Sequence, residues 1–213
     1  TISYTSSKSD VATITDNIVH ITGAGTTEIT ASQDGNEYYN VAPSVSQSLT
    51  ITKATQTINF PELPTCIFGQ DSLTLEATVN SGLEIEYESS DYSVATVNGN
   101  KLAIVGAGTC FITASVAGNK NYYTATPVER TLVVNKAQSV LTFEPFEGEY
   151  TYGDAPVALT AYGSSDKIVF TSSNPSKLLI AGTNAIIQGA GHYNITATIE
   201  EDANHLPVSV SQE

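Results

Sequence analysis

Three observations predict an all-β fold made of tandem immunoglobulin-like β-sandwiches. The tripeptide Gly-Ala-Gly occurs three times at a constant spacing of 83 residues, at Gly23–Gly25, Gly106–Gly108 and Gly189–Gly191. Between these motifs apolar residues alternate with polar ones, which is the period of a strand with one buried face. No stretch shows helical periodicity with caps. Seven or eight short strands in about 83 residues are typical of an immunoglobulin-like sandwich.

The repeat also predicts the domain organisation. An aromatic-x-Ser-Ser string and an Ile-Thr-Ala string recur in the same register, and in the second unit they begin at Tyr87 and Ile112. Three markers in one register indicate three copies of one structural unit. We therefore predict an incomplete repeat at 1–54 without its N-terminal strands, a complete repeat at 55–137, and a repeat at 138–213 that lacks its last strand.

Within the complete repeat, the alternation and the turn residues place the individual strands. Asn98-Gly99-Asn100 is typical of a tight hairpin turn, because Asn and Gly tolerate positive φ. Gly106–Gly108 lies between two predicted strands and indicates a chain reversal; it is not a dinucleotide fingerprint, since no helix follows it. The predicted strands are 57–60, 66–68, 73–79, 84–88, 94–97, 101–105, 109–116 and 130–135.

The charge of the chain excludes some classes of partner. Of the 213 residues, 22 are Asp or Glu and 8 are Lys or Arg, which gives a net charge of −14. Such a surface repels phosphate backbones and anionic lipids, so we expect no nucleic-acid binding and no direct membrane insertion. The scattered acids favour solubility, with weak calcium binding as the alternative; no motif supports a calcium site, and we predict no cofactor.

The span from Lys53 to Ala137 resembles a known family. It opens with Lys-Ala-Thr-Gln-Thr-Ile-Asn-Phe-Pro, contains Val94-Ala95-Thr96-Val97 and ends with Val-Asn-Lys-Ala. These strings resemble the bacterial immunoglobulin-like repeats, which include invasin- and intimin-type domains, and are closest to the variety in Bacteroidetes surface proteins. The resemblance implies a secreted or cell-surface location in bacteria and a role as stalk, spacer, adhesin domain or accessory module, with no catalytic residues to transfer.

The three units also test for enzymatic chemistry, because a site used by the repeat should recur in every copy. The histidines do not: His20, His192 and His205 occupy three different positions of the repeat. We therefore predict a non-catalytic extracellular spacer or adhesion array. The alternatives are a module that binds carbohydrate or a host surface protein, and an accessory part of a surface glycosidase.

Two groups of residues are candidates for ligand contact. A tyrosine pair precedes the last strand in each of the first two units, and packing is the alternative role for it. Three acids share the solvent-exposed face of one strand, in the second unit only. The alternative to ligand contact is that they simply form a solvated surface. The candidates are Tyr38, Tyr39, Tyr122, Tyr123, Glu84, Glu86 and Glu88.

A disulfide between Cys66 and Cys110 is the last predicted site. Both cysteines fall on the inward period of their strands, and in the third unit tyrosine replaces both, at Tyr150 and Tyr193. Joint replacement suggests contact, and an exported protein meets oxidising conditions. Two buried free thiols are the alternative. A further hypothesis concerns the open edges of the first and third units, for which we expect strand complementation between chains.

Overall fold

The computed structural model describes residues 1–213 and confirms the all-β class. It contains 24 strands and no helix, and 47% of the residues lie in strands. The strands follow the three sequence repeats, so the chain is a tandem array of immunoglobulin-like β-sandwich units. The chain forms two compact units. One comprises Thr1–Pro61, Leu75–Glu88 and Thr113–Arg130, and the other comprises Glu62–Thr74, Ser89–Ile112 and Thr131–Glu213. The predicted domain limits remain a prediction.

The first repeat consists of one three-stranded sheet and one hairpin. The sheet has the order β1-β4-β5, and β2 pairs with β3; all these pairings are antiparallel. The strands are β1 (Ser3–Ser6), β2 (Ala12–Thr15), β3 (Ile18–Ile21), β4 (Gly25–Ser32) and β5 (Val45–Ile51).

The second repeat contains nine strands. Its sheets have the orders β10-β13-β14-β7, β11-β12-β8 and β6-β9, and β14 runs parallel to β7. The strands are β6 (Ile58–Asn59), β7 (Cys66–Ile67), β8 (Leu73–Thr74), β9 (Thr78–Val79), β10 (Glu86–Ser89), β11 (Ala95–Asn98), β12 (Lys101–Ile104), β13 (Gly108–Ser115) and β14 (Val128–Asn135).

The third repeat and the linker before it contain the other ten strands. The sheets are β19-β22-β24, β17-β21-β20 and β16-β18, and β15 pairs with β23. Part of the last strand is present, as β24. The strands are β15 (Ala137–Gln138), β16 (Leu141–Phe143), β17 (Val157–Ala158), β18 (Ala161–Gly163), β19 (Ile168–Ser172), β20 (Leu178–Ala181), β21 (Asn184–Ile187), β22 (Ile195–Ile199), β23 (His205–Leu206) and β24 (Val208–Gln212).

The aromatic-x-Ser-Ser string is a clamp between two strands. In the second repeat the backbone N–H of Ser90 donates to the carbonyl of Phe111 at 2.9 Å. The N–H of Phe111 in turn donates to Ser90 Oγ at 2.9 Å. The same two hydrogen bonds join Ser7 to Glu28 and Ser173 to Asn194. The serine recurs because its hydroxyl replaces a backbone acceptor where the ladder ends.

Alternation along the strands determines which side chains are buried. On β13, Cys110, Ile112 and Ala114 are buried while Phe111 is exposed, as the period of two predicts. In the third repeat, Phe143 and Phe170 pack with their ring centroids 5.4 Å apart. They belong to a cluster of buried apolar residues from β16, β19, β20, β21 and β22.

The first repeat leaves its apolar face uncovered. Ile29 on β4 is only partly buried, whereas the equivalent Ile112 is fully buried. Leu49 on β5 is likewise partly buried, whereas Leu132 is fully buried. The repeat has no strands equivalent to β6–β9. The open face lines a cavity of about 430 Å³, to which Tyr4 and Val19 contribute.

The difference in burial predicts different costs for the same truncation. We expect Ile112→Ala to reduce the free energy of unfolding by about 2–5 kcal/mol, because it removes buried methylenes and leaves a cavity. Ile29→Ala should cost about 1 kcal/mol, since less of that side chain leaves water on folding. Urea denaturation, monitored through amide hydrogen exchange in each repeat, measures the loss of unfolding free energy in both variants. Equal losses would contradict the open face of the first repeat.

Candidate functional site: the contacts between repeats

Each repeat presents a preformed turn just before its last strand. The turn begins with Asn36, Asn119 or Asp202, at the 83-residue period. In each case the side-chain oxygen accepts hydrogen bonds from the backbone N–H groups two and three residues later, at 2.7–2.9 Å. This is an Asx turn, which needs only local residues to form. It fixes the direction of the two side chains that follow.

One of these side chains reaches the preceding repeat. At the first junction, Asn121 Oδ1 accepts a hydrogen bond from the backbone N–H of Ala24 at 2.9 Å. At the second junction, Asn204 Oδ1 accepts the same bond from Ala107 at 2.8 Å. Ala24 and Ala107 are the central residues of the Gly-Ala-Gly motifs. The motif is therefore a docking loop for the next repeat as well as a chain reversal.

The first glycine of the motif is required by close packing. A Cβ atom on Gly106 would lie 2.5 Å from the carbonyl oxygen of Ser93 and 3.3 Å from Asn204 Oδ1. A Cβ atom on Gly23 would lie 2.5 Å from the Asp10 carbonyl and 3.0 Å from Asn121 Oδ1. Any side chain there would push the loop away from the asparagine that binds it.

The Lys-Ala linkers bind to the same turn. The backbone N–H of Ala54 donates to the carbonyl of Asn121 at 2.8 Å, and that of Ala137 donates to the carbonyl of Asn204 at 2.8 Å. Lys53 Nζ donates to the carbonyl of Asn119 at 2.8 Å. Lys136 Nζ makes the equivalent bond to the carbonyl of Asp202. Each linker is thus held by its own backbone and by its lysine.

Ion pairs supplement these contacts but differ between the junctions. Lys120 Nζ lies 2.5 Å from Asp10 Oδ2 at the first junction, and this hydrogen bond lowers the pKa of Asp10. Lys136 Nζ lies 2.6 Å from Glu201 Oε1 at the second junction. The N–H of Asn204 lowers the pKa of Asp202 within its turn. Because solvent reaches both pairs, screening limits what each pair contributes.

The predicted tyrosine contacts divide between the junction and the open surface. Tyr122 pairs with Ala54 of the linker, and the N–H of Tyr123 donates to the carbonyl of Ala54 at 3.0 Å. Tyr38 and Tyr39 are 79% and 74% exposed. Tyr122 therefore contacts the linker that precedes its repeat.

The acidic candidates lie on the surface, as the alternation predicts. Glu84, Glu86 and Glu88 are all exposed along β10 and the residues before it. No three His, Cys, Asp or Glu side chains come close enough together to hold a metal ion. The role of the three glutamates as ligand contacts remains a prediction.

The histidines have separate surroundings. His205 contacts Asp202 at 3.1 Å and its ring lies edge-on to Phe68, with centroids 5.3 Å apart. His192 lies 3.6 Å from a carboxylate oxygen of Glu213, and both side chains are largely exposed. His20 is exposed on β3. His205 thus helps to place the third repeat's turn against the second repeat.

The structure corrects the predicted disulfide. Cys66 and Cys110 are both buried free thiols. Cys66 lies on β7 and Cys110 on β13, and β14 lies between those strands. Two strand spacings separate their backbones by roughly 9–10 Å, which is beyond the about 7 Å that a disulfide can bridge. The two cysteine columns share a sheet face, but they flank the last strand from opposite sides.

The fold and the repeated junction define the protein as a tandem immunoglobulin-like array. The chain is similar to the crystal structure of Drosophila N-cadherin EC1-4, with 11% sequence identity and a TM-score of 0.36. The match covers 100% of this chain and 65% of the cadherin chain, so this chain spans less than two thirds of that neighbour. The likeness is too distant to indicate a function. No family model and no curated protein matches the chain. The structure contains no helix that is long and apolar enough to cross a membrane.

Both thiols should be protected in the folded protein. Burial raises the pKa of Cys66 and Cys110 above the ordinary value for cysteine, so little thiolate forms at about pH 8. We expect an aromatic disulfide reagent to react slowly with the native chain and to release two equivalents once urea unfolds it without reductant. Cys66→Ser should reduce this yield to one equivalent. No reaction in the unfolded, unreduced chain would reinstate the disulfide.

Proposed function

We propose that the chain is a non-catalytic extracellular spacer and adhesion array of a bacterial surface protein. We further propose that it is of the bacterial immunoglobulin-like type common in Bacteroidetes. The observation that supports the spacer role is the repetition of the junction. The same asparagine, lysine and linker alanine make the same bonds at both junctions, 83 residues apart. A spacer needs a joint that every copy of the repeat can form with the next.

The junction has the properties of a restrained joint. Backbone and side-chain hydrogen bonds hold both residues of each linker, Lys53–Ala54 and Lys136–Ala137, which leaves little free chain. Gly23 and Gly106 are buried in it. A buried N–H that lost its acceptor would cost about 1–3 kcal/mol. This cost stabilises the contact between the Gly-Ala-Gly loop and the asparagine.

Three further observations support the non-catalytic, extracellular and bacterial parts of the proposal. No cluster of His, Cys, Asp or Glu side chains recurs among the three repeats, which favours a non-catalytic role. The net charge of −14 suits a solvated protein outside the cell. The bacterial and cell-surface assignments are supported by the sequence strings from Lys53 to Ala137.

The joint can be tested with one substitution at each junction. We expect the first and second repeats of the unaltered chain to share one rotational correlation time in backbone ¹⁵N relaxation. Asn121→Ala should shorten the correlation time of the first repeat alone, because the Ala24 N–H loses its acceptor. Asn204→Ala should shorten that of the third repeat alone, so each variant is a control for the other.

Asn98→Ala is the matched control within the second repeat, since Asn98 is exposed on the β11 hairpin. It should change neither junction. Independent tumbling of the repeats in the unaltered chain would contradict a restrained spacer, as would a response of both junctions to Asn121→Ala.

A binding role is the second candidate, because the neighbouring Tyr38 and Tyr39 are 79% and 74% exposed. Aromatic rings of this kind stack on sugars and anchor protein contacts. If the adhesive activity lies here, a glycan or host-protein screen should yield a ligand whose affinity falls about tenfold or more in Tyr38→Ala and Tyr39→Ala. Tyr92→Ala is the matched control, since Tyr92 is also 62% exposed. Equal losses in all three variants would reject this surface.

A further inference from the structure

The two junctions differ in the side chains that change charge near neutral pH. At the first junction the Asx turn begins with Asn119, and Tyr122 follows three residues later. At the second junction the equivalent residues are Asp202 and His205. Neither asparagine nor tyrosine changes charge between about pH 5 and 8, whereas histidine does. The second junction therefore contains a titratable pair that the first junction lacks.

His205 connects the turn of the third repeat to the second repeat. Its Nδ1 atom lies 3.1 Å from each carboxylate oxygen of Asp202, and its ring packs edge-on against Phe68 with the centroids 5.3 Å apart. The same carboxylate accepts the backbone N–H groups of Asn204 and His205 at 2.7 Å. Asn204 Oδ1 in turn accepts the N–H of Ala107 at 2.8 Å. One carboxylate thus holds both the imidazole and the turn that presents the docking asparagine.

The linker adds one positive and one negative charge to this pair. Lys136 Nζ donates to the carbonyl of Asp202 and lies 2.6 Å from Glu201 Oε1. The N–H of Asn204 and the imidazole of His205 lower the pKa of Asp202. Carboxylates and ammonium groups titrate outside the range of about pH 5 to 8. His205 therefore faces two carboxylates and one ammonium whose charges stay constant while its own changes.

Two further titratable sites near the junctions keep their charge state in this range. Cys66 on β7 lies two residues before Phe68, and burial raises its pKa, so it stays a neutral thiol below about pH 8. At the first junction the hydrogen bond from Lys120 lowers the pKa of Asp10, so that carboxylate stays ionised. A change in junction strength between about pH 5 and 8 is thus expected from His205.

We propose that the second junction is a pH-sensitive joint, in which protonation of His205 tightens the contact between the second and third repeats, whereas the first junction does not respond. The inference rests on the proposed spacer role, since it concerns the same joint. An imidazolium donates a charge-assisted hydrogen bond to a carboxylate, which is roughly twice as strong as a neutral one. The neutral ring carries a proton on only one nitrogen, so it donates to Asp202 in only one of its two tautomers.

The contact should strengthen as the pH falls from about 8 to about 5.5. A carboxylate favours the charged form of a neighbouring imidazole, so the gain is present at low pH and is lost as histidine deprotonates. Below about pH 4 the gain disappears again, because Asp202 itself becomes protonated. The side chains of His205 and Asp202 are 28% and 56% exposed, so solvent screening keeps the change small.

Amide hydrogen exchange at the docking loops of the full 213-residue chain tests the proposal. After correction for the intrinsic pH dependence of exchange, we expect the protection factor of Ala107 to be about two- to fivefold higher at about pH 5.5 than at about pH 8. The protection factor of Ala24, the equivalent amide at the first junction, should not change. His205→Tyr and Asp202→Asn, which copy the first junction, should each give Ala107 the same protection at both pH values.

His20→Tyr and His192→Tyr are the matched controls, because both histidines are exposed and lie outside the second junction. Each variant should keep the pH dependence at Ala107. Equal protection of Ala107 at both pH values in the unaltered chain would overturn the proposal, as would a dependence that survives His205→Tyr. If the repeats then still share one correlation time at both pH values, the spacer role stands without the pH response. Independent tumbling at both pH values, with Ala107 unprotected, would reject the spacer and the pH-sensitive joint together.

Discussion

The last strand of each repeat determines both its core and its connection to the next repeat. In the second repeat β14 buries Leu132 and Val134, lies between β13 and β7, and leads directly into Lys136 and Ala137. A strand in this central position is bonded on both sides, so its removal exposes two edges at once. Core packing in the second repeat and the position of the Lys136–Ala137 linker therefore both depend on β14.

The period of two was sufficient to predict the fold class and the direction of most side chains. Cys110 and Ile112 point inward and Phe111 outward, as the alternation requires. The disulfide prediction was wrong because alternation reports the face of a sheet but not the order of its strands. Order is set by pairing between residues far apart in sequence, here Val134 with Cys66. The two cysteine columns flank the same strand, β14, so their joint replacement by tyrosine does not require contact between them.

The junction was not predicted, although its signal is present in the sequence. Asn121 and Asn204 recur at the 83-residue period, as do Lys53 and Lys136. These residues are polar and partly exposed, so neither hydrophobic periodicity nor a catalytic pattern identifies them. In the first repeat the equivalent position is Tyr38. A search for residues shared by all three repeats therefore misses the asparagine. A comparison restricted to the second and third repeats would have found the asparagine.

The Asx turns have a consequence for the order in which the array assembles. Each turn closes over three residues, so it forms with little loss of chain entropy and without help from the neighbouring repeat. The Gly-Ala-Gly loop that receives it belongs to the repeat made earlier in synthesis. Because the chain is synthesised from its N-terminus, every new repeat therefore meets a Gly-Ala-Gly loop that is already folded and presents an Asx turn that is already formed. Misjoined neighbours are a common hazard for repetitive chains, and this sequence of events limits it by pairing each copy with its immediate predecessor.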